Sequence, residues 1–424
     1  MNARELKKLL EEGELGKYKD LYADTDKATA RYIRAIDEFC RIYGEDRDIS
    51  VYSVPGRSEI SGNHTDHNGG VVLAGAIDKD IIAVASKNEE NIIRIQSEGY
   101  PESVVDIDKC DSSGNFDNYT SDALIAGTVN GFLKKGFTVG GYDAYATSEV
   151  LKGSGISSSA AYEVMIGNIL SHLYNEGCVS AEELAKTAQY AENEYFGKPC
   201  GLMDQMACAV GGFVYMDFED KNEPKIQPID FSLNDYGYSL CIVNTGGNHA
   251  DLNEDYASVP AEMRSVAKLL GREVLRGLTE EDIVKNIVNI RRLVGDRAVL
   301  RALHFIRECA RVEKISNALR EGNLQEFFEG ILASGRSSFQ YLQNIYSNKC
   351  IEEQGLSLAL ALTDGYFEGK DAAYRVHGGG FAGTVQVFVK NEDIEEYAAY
   401  MDSVFGDGAA NAFRIRPKGA VKIF

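Results

Sequence analysis

Basic residues are scarce: 44 lysines and arginines stand against 65 aspartates and glutamates, a formal net charge of −21 over 424 residues. Nucleic acids and anionic membranes are bound through clustered cations, so this deficit argues against either as a partner. A polyanionic ligand would have to be held by local devices: backbone N–H groups, a metal ion and one or two arginines. No apolar run reaches transmembrane length, and no hydrophobic signal segment opens the chain. The opening "MNARELKKLLEEGELGKYKDLY" is a charged amphipathic helix, and the expected location is cytoplasmic. No C-x-x-C pair occurs among the eight cysteines. Their wide spacing fits neither a zinc site nor a secreted disulfide framework, and free thiols are expected. Tryptophan is absent, and nothing follows from that.

A hydrophobic content of 44% with 26% charged residues is that of a globular protein. The length suits two domains. Helical spacing covers 29–43, 121–135, 157–174 and 181–195, the last opened by the capping pair Ser180 and Glu183. "ISVYSVPGR", "GGVVLAGAI", "KDIIAVASK" and "NIIRIQSEG" read as successive strands, as do "GGFVYMDFED" and "GYSLCIVNTGG". Helices dominate from about 255 to 345. The elements mix without strict βαβ alternation, which predicts an α+β protein of two domains, 1–240 and 241–424.

Three glycine-rich stretches carry the chemistry. "LKGSGISSSAAYEV" passes through Gly153 and Gly155 into a serine triplet that starts a helix. Glycines let a backbone approach an anion, and the unpaired N–H groups of a helix start point at it. The stretch is not a Walker A, because the G-K-[ST] ending is missing. The plain alternative is a serine-rich cap on a buried helix. "HGGGFAG" (377–383) formally contains G-x-G-x-x-G, yet "TVQVFV" continues it as a strand, so a dinucleotide site is excluded by context. "GNHTDHNGG" (62–70) crowds carboxylate, amide and imidazole groups onto one tight loop. His64 and His67 raise the question of a metal, but no further ligand cluster accompanies them. A polyol, whose adjacent hydroxyls each donate and accept, is the better match.

Five segments in order resemble galactokinase, of the small-molecule kinase superfamily that includes homoserine, mevalonate and phosphomevalonate kinases. "PGRSEISGNHTDHNGG" is similar to P-G-R-V-N-L-I-G-E-H-T-D-Y-N-x-G, and "GSGISSSAAYEV" to G-A-G-L-S-S-S-A-S-L-E-V. "AENEYFGKPCGLMDQMA" is similar to A-E-x-x-F-x-G followed by C-G-x-M-D-Q. "NTGGNHADLNEDY" and "RVHGGGFAGTVQVFV" complete the series, which spans 55–389.

The resemblance implies a two-domain α+β fold with its active site in the interdomain cleft, and ATP-dependent phosphorylation of a sugar at O1. It implies Asp204 as the catalytic carboxylate and Arg57 as its partner. The nucleotide phosphate loop would comprise Gly153, Ser154, Gly155, Ile156, Ser157, Ser158 and Ser159. Ser159 and Glu192 would be the Mg²⁺ ligands, and Asn63, His64, Thr65, Asp66 and Tyr256 the sugar contacts. Mg-ATP is the only cofactor implied.

The chain departs from the family pattern at Asn63, where a glutamate contacts the C6 hydroxyl. It departs also at Ser58 and Glu59 (Val-Asn), His67 (Tyr), Asn248 (Arg) and Ala382 (Gly). These bear on which sugar is used: galactose first, with galacturonate, arabinose or an N-acetylhexosamine as alternatives. Relatives that sense sugar and ATP without turnover depart in the serine-rich loop, which is complete here.

Overall fold

The computed structural model describes residues 1–150, 155–221, 223–247 and 252–424. The sequence predicts one boundary near 240, but the compact units are discontinuous. The first comprises Met1–Arg57, Ala76–Gly212 and Arg416–Phe424; the second comprises Ser58–Gly75 and Phe213–Ile415. The cause is two long strands, Ser50–Ser61 and Val71–Lys87, whose halves belong to different units.

In the first unit, those strands continue a sheet that adds Tyr142–Ser148, Ile92–Ser97 and Ser103–Asp106 in that order. Tyr142–Ser148 pairs antiparallel with 81–87 and parallel with Ile92–Ser97. The helices Ala3–Glu11 and Thr25–Tyr43 bring Leu6, Leu10, Ile36 and Phe39 onto Val51, Ile82 and Val84 of this sheet. Thr25–Tyr43 starts where the Asp24 carboxylate accepts from the Lys27 N–H, and it stops at Gly44. The helices Ser121–Lys134 and Ala181–Ala191 pack closely because Gly127 and Gly131 lack side chains. A Cβ on Gly127 would meet the Ala191 Cα at 2.7 Å. Of the predicted capping pair only half forms: Ser180 caps the Glu183 N–H, while the Glu183 carboxylate turns to Lys135.

Two predicted strands, 69–77 and 79–87, are one. The strand runs unbroken from Val71 to Lys87, and Asp80 within it is fully buried. Arg31 reaches Asp80 Oδ1 at 2.5 Å, while Arg416 at 3.2 Å and the Tyr22 hydroxyl at 2.9 Å reach Oδ2. Breaking a buried ion pair from one side leaves the other charge uncompensated, at a cost of about 3–5 kcal/mol. Asp80→Ala strands two buried guanidinium groups and is expected to destabilise the protein by about that amount, read as a lower denaturation midpoint in urea.

The second unit holds a four-stranded antiparallel sheet in the order Ala410–Phe413, Tyr238–Asn244, Thr384–Lys390, Ala373–His377. Cys241, Val243, Val376, Val385 and Val387 pack with Leu356, Tyr397 and Met401 beside it. A second core gathers Val259, Met263 and Val266 of the helix Asn253–Leu269 with Ile283, Ile290 and Phe305. Thr384–Lys390 forms a hairpin with Ala373–His377. The glycine turn at 378–383 therefore joins two strands, in agreement with the reading that set a dinucleotide site aside. Among the described residues no helix is long and apolar enough to cross a membrane.

Candidate active site

Arg57 lies on the strand Ser50–Ser61 and is 9% exposed. Its Nε and one terminal nitrogen donate to Asp204 Oδ1 and Oδ2, both at 2.7 Å, while the other terminal nitrogen donates to the Gly155 carbonyl at 2.7 Å. This two-point geometry fixes a carboxylate in one plane. The backbone beside it is equally close: the Arg57 N–H donates to Ile156 O, and a Cβ on Gly56 would stand 2.7 Å from that oxygen. Asp204 sits in the first turn of the helix Met203–Val210, and its side chain remains 32% exposed. Burial opposes its ionisation, but the Arg57 charge and the hydrogen bonds from Arg57 and Ser157 outweigh it and hold the carboxyl below its ordinary range.

Ser157 ties this pair to the start of the helix Ser158–Tyr174. It stands at the N-cap in the left-handed region (φ 58°), and its hydroxyl donates to Asp204 Oδ2 at 2.5 Å instead of capping the helix. The first N–H groups of that helix thus lack a side-chain cap and suit an anion. Ser158 and Ser159 follow, both partly exposed. Together with Tyr100, Tyr119, Tyr162 and Phe196 they help to line a cavity of about 390 Å³. Gly155 is exposed, and Ile156 is buried at 2%. Gly153 and Ser154 lie outside the described residues, as does Asn248.

Glu192 is 3% exposed. Its Oε2 accepts from the Gln205 amide at 2.8 Å and its Oε1 from Lys198 Nζ at 3.3 Å. The same amide donates to Glu163 Oε2 at 3.2 Å, and Glu163 Oε1 is buried with no partner. Burial, with Glu192 nearby, raises the Glu163 carboxyl well above its ordinary range. Sequence reasoning missed Glu163, Gln205 and Lys198. A signal was present for Glu163, a lone carboxylate between apolar residues one helical turn past Ser159. Among the described residues, no group of three or more His, Cys, Asp or Glu is placed to hold a metal ion.

The loop at 62–70 belongs to the second unit and divides into inward and outward side chains. Thr65 is buried, and its hydroxyl meets the carbonyls of Gly62 at 2.8 Å and Val71 at 2.7 Å. Asn63 is also fully buried. Its amide nitrogen donates to Glu59 Oε1 at 3.0 Å and Gly378 O at 2.6 Å, and its oxygen accepts from Asn344 at 2.7 Å. Of the residues expected on a sugar-binding loop, these two are thus buried and hydrogen-bonded within the second unit. A buried loop must satisfy its own polar groups first, and Asn63 and Thr65 do that.

His64 and Asp66 are the partly exposed members. His64, left-handed at φ 58°, meets the Gly379 carbonyl through Nε2 at 2.8 Å. A carbonyl only accepts, so Nε2 carries the proton and Nδ1 is left as an acceptor. Burial pushes the imidazole pKa down to about 4 and keeps the ring neutral. Tyr256, partly buried, donates to Gly380 O at 2.9 Å and meets Phe381 edge-on. Three successive carbonyls of the 378–380 turn are thus held by Asn63, His64 and Tyr256.

Two family signatures match the chain. "Galactokinase galactose-binding signature" covers residues 37–87, and "GHMP kinases N terminal domain" covers residues 123–212. A galactokinase of Clostridium tetani is 30% identical over 314 residues, 73% of this chain and 77% of its own. A galactokinase of Thermotoga petrophila is 30% identical over 353 residues, 81% of this chain and 92% of its own. The crystal structure of Lactococcus lactis galactokinase complexed with galactose superposes with a TM-score of 0.75, at 22% identity over 91% of this chain and 98% of that one. The matched signatures and relatives, on this two-unit α+β fold, mark a kinase of the GHMP class. Within that class, the chain belongs to the galactokinase family.

Proposed function

We propose that the protein transfers the terminal phosphoryl group of ATP to O1 of galactose, giving galactose 1-phosphate and ADP. The observation that supports this most is the Arg57–Asp204–Ser157 group at a helix start suited to phosphate. Asp204, ionised, accepts the O1 proton as O1 bonds to the γ-phosphorus and the bond to the bridging oxygen breaks. Arg57 fixes the plane of that carboxylate and offsets charge beside it. Residues 153–159 cradle the phosphates through their backbone, and the 390 Å³ cavity beside Ser158 and Ser159 receives the nucleoside. In this reading Ser159 and Glu192, whose hydroxyl and carboxylate oxygens are the hard donors Mg²⁺ takes, would hold that ion, which would supply charge to offset the phosphates. His64 and Asp66, with Tyr256, contact the sugar, while Asn63 and Thr65 shape the loop that presents them. The reaction is placed in the cytosol, where eight free thiols are stable.

One observation favours a second reading. The Asn63 amide is engaged on both of its polar atoms inside the fold, which leaves it little capacity for a C6 hydroxyl and suits a sugar that differs there, such as arabinose or galacturonate. A coupled ADP-release assay over galactose, arabinose, galacturonate and N-acetylgalactosamine decides. The highest kcat/KM is expected with galactose. Release stimulated by no sugar would remove the kinase reading altogether.

A further inference from the structure

A phosphoryl-transfer site in so acidic a chain needs cationic side chains, and Arg57 is already committed. Three of its N–H groups are directed to Asp204 and to the Gly155 carbonyl. The second cation whose charge acts on Asp204 is Lys198, and the same charge acts on Glu163. Its backbone is fixed: the Lys198 N–H donates to the Glu192 carbonyl at 3.2 Å, just after Gly197 turns the chain at φ 82°. Its side chain is not enclosed. It is 60% exposed, and its ammonium meets only one edge of a carboxylate that is itself 3% exposed.

We infer that Lys198 is a catalytic residue that binds the transferring phosphoryl group, exchanging its contact with Glu192 for the γ-phosphate oxygens once the triphosphate is seated. A lysine carries three rotatable donors on a flexible four-carbon stem, which suits a group that changes partner. Lys198 takes no part in the proton transfer. The bond from O1 to phosphorus forms, the bond to the β–γ bridging oxygen breaks, the O1 proton passes to Asp204, and ADP leaves with the electron pair. The ammonium only offsets the charge spread over the equatorial oxygens. The plainer account makes Lys198 a counter-ion for Glu192 and nothing more.

This inference rests on the kinase reading, and its test separates the two. Binding of AMP-PNP and of ADP is measured by calorimetry in EDTA, for the parent and for Lys198→Met. The parent is expected to bind the triphosphate analogue more tightly than ADP. The variant should lose about tenfold of that preference while its ADP affinity holds. With Mg-ATP, Lys198→Met should lower kcat about 100-fold with an unchanged KM for sugar, and Lys198→Arg should restore part of the loss. An unchanged analogue-to-ADP ratio, or equal weakening of both ligands, overturns the inference. So does a variant kcat within about twofold of the parent, since loss of one such donor costs at least 100-fold. If no sugar stimulates the parent, the kinase reading fails instead, and the metal-free comparison still judges Lys198.

Discussion

Asp204→Asn is expected to lower kcat by about 10³-fold, within the range for loss of a positioned general base, while the KM for ATP changes little. The substitution keeps size and shape but leaves an amide that cannot take a proton from O1. It also removes the anion that Arg57 grips at two points and that Ser157 approaches at 2.5 Å. The variant's own pH profile follows from the parent's chemistry. Arg57 and Ser157 hold Asp204 below its ordinary carboxylate range against the effect of burial. The shift favours the ionised base below the ordinary aspartate value, near pH 3.9, so Asp204 does not set the acid limb at mildly acidic pH. Steady-state kinetics between pH 5 and 8 check both points.

Arg57→Met is the second large effect, and it differs in its pH signature. It removes both hydrogen bonds to Asp204 and the one to Gly155 O. A loss of about 10²–10³ in kcat is expected, comparable to removal of one oriented donor from a polar catalytic site. With the cation gone, burial acts on Asp204 unopposed by its main stabiliser, and the carboxyl titrates at higher pH. The sign is fixed: the base is protonated over more of the acid range, so the acid limb of kcat moves upward. Part of the lost rate should return as pH rises. Arg57→Lys keeps the charge without the planar fork and should fall between parent and methionine variant.

Much of this site was legible in the chain because its chemistry sits in contiguous runs. Arg57 beside the polar loop, the serine triplet and Asp204 in "GLMDQ" are singled out by the family resemblance, and the fold brings Arg57, Ser157 and Asp204 together. Other features were not, because they depend on what tertiary packing does to a residue. Asp80 is one more charge in a strand until the fold buries it between two arginines. Asn63 looks like a ligand until Glu59, Gly378 and Asn344 take up its amide. The discontinuous units follow from the length of two strands, which alternating patterns do not mark when both faces are buried. Lys198 gave no signal at all. A single lysine between glycine and proline is unremarkable until a folded chain sets it against Glu192.

In the proposed reaction the Asp204 carboxylate, held by Arg57, takes the proton of the anomeric hydroxyl. The most direct measurement compares ADP release with galactose and with methyl galactoside, in which O1 is blocked, using phosphorus NMR to locate the phosphate in the product. Galactose should support turnover with phosphorus coupled to H1, and the blocked sugar should support none. Phosphorylation of the methyl galactoside at a parent-like rate would contradict the account.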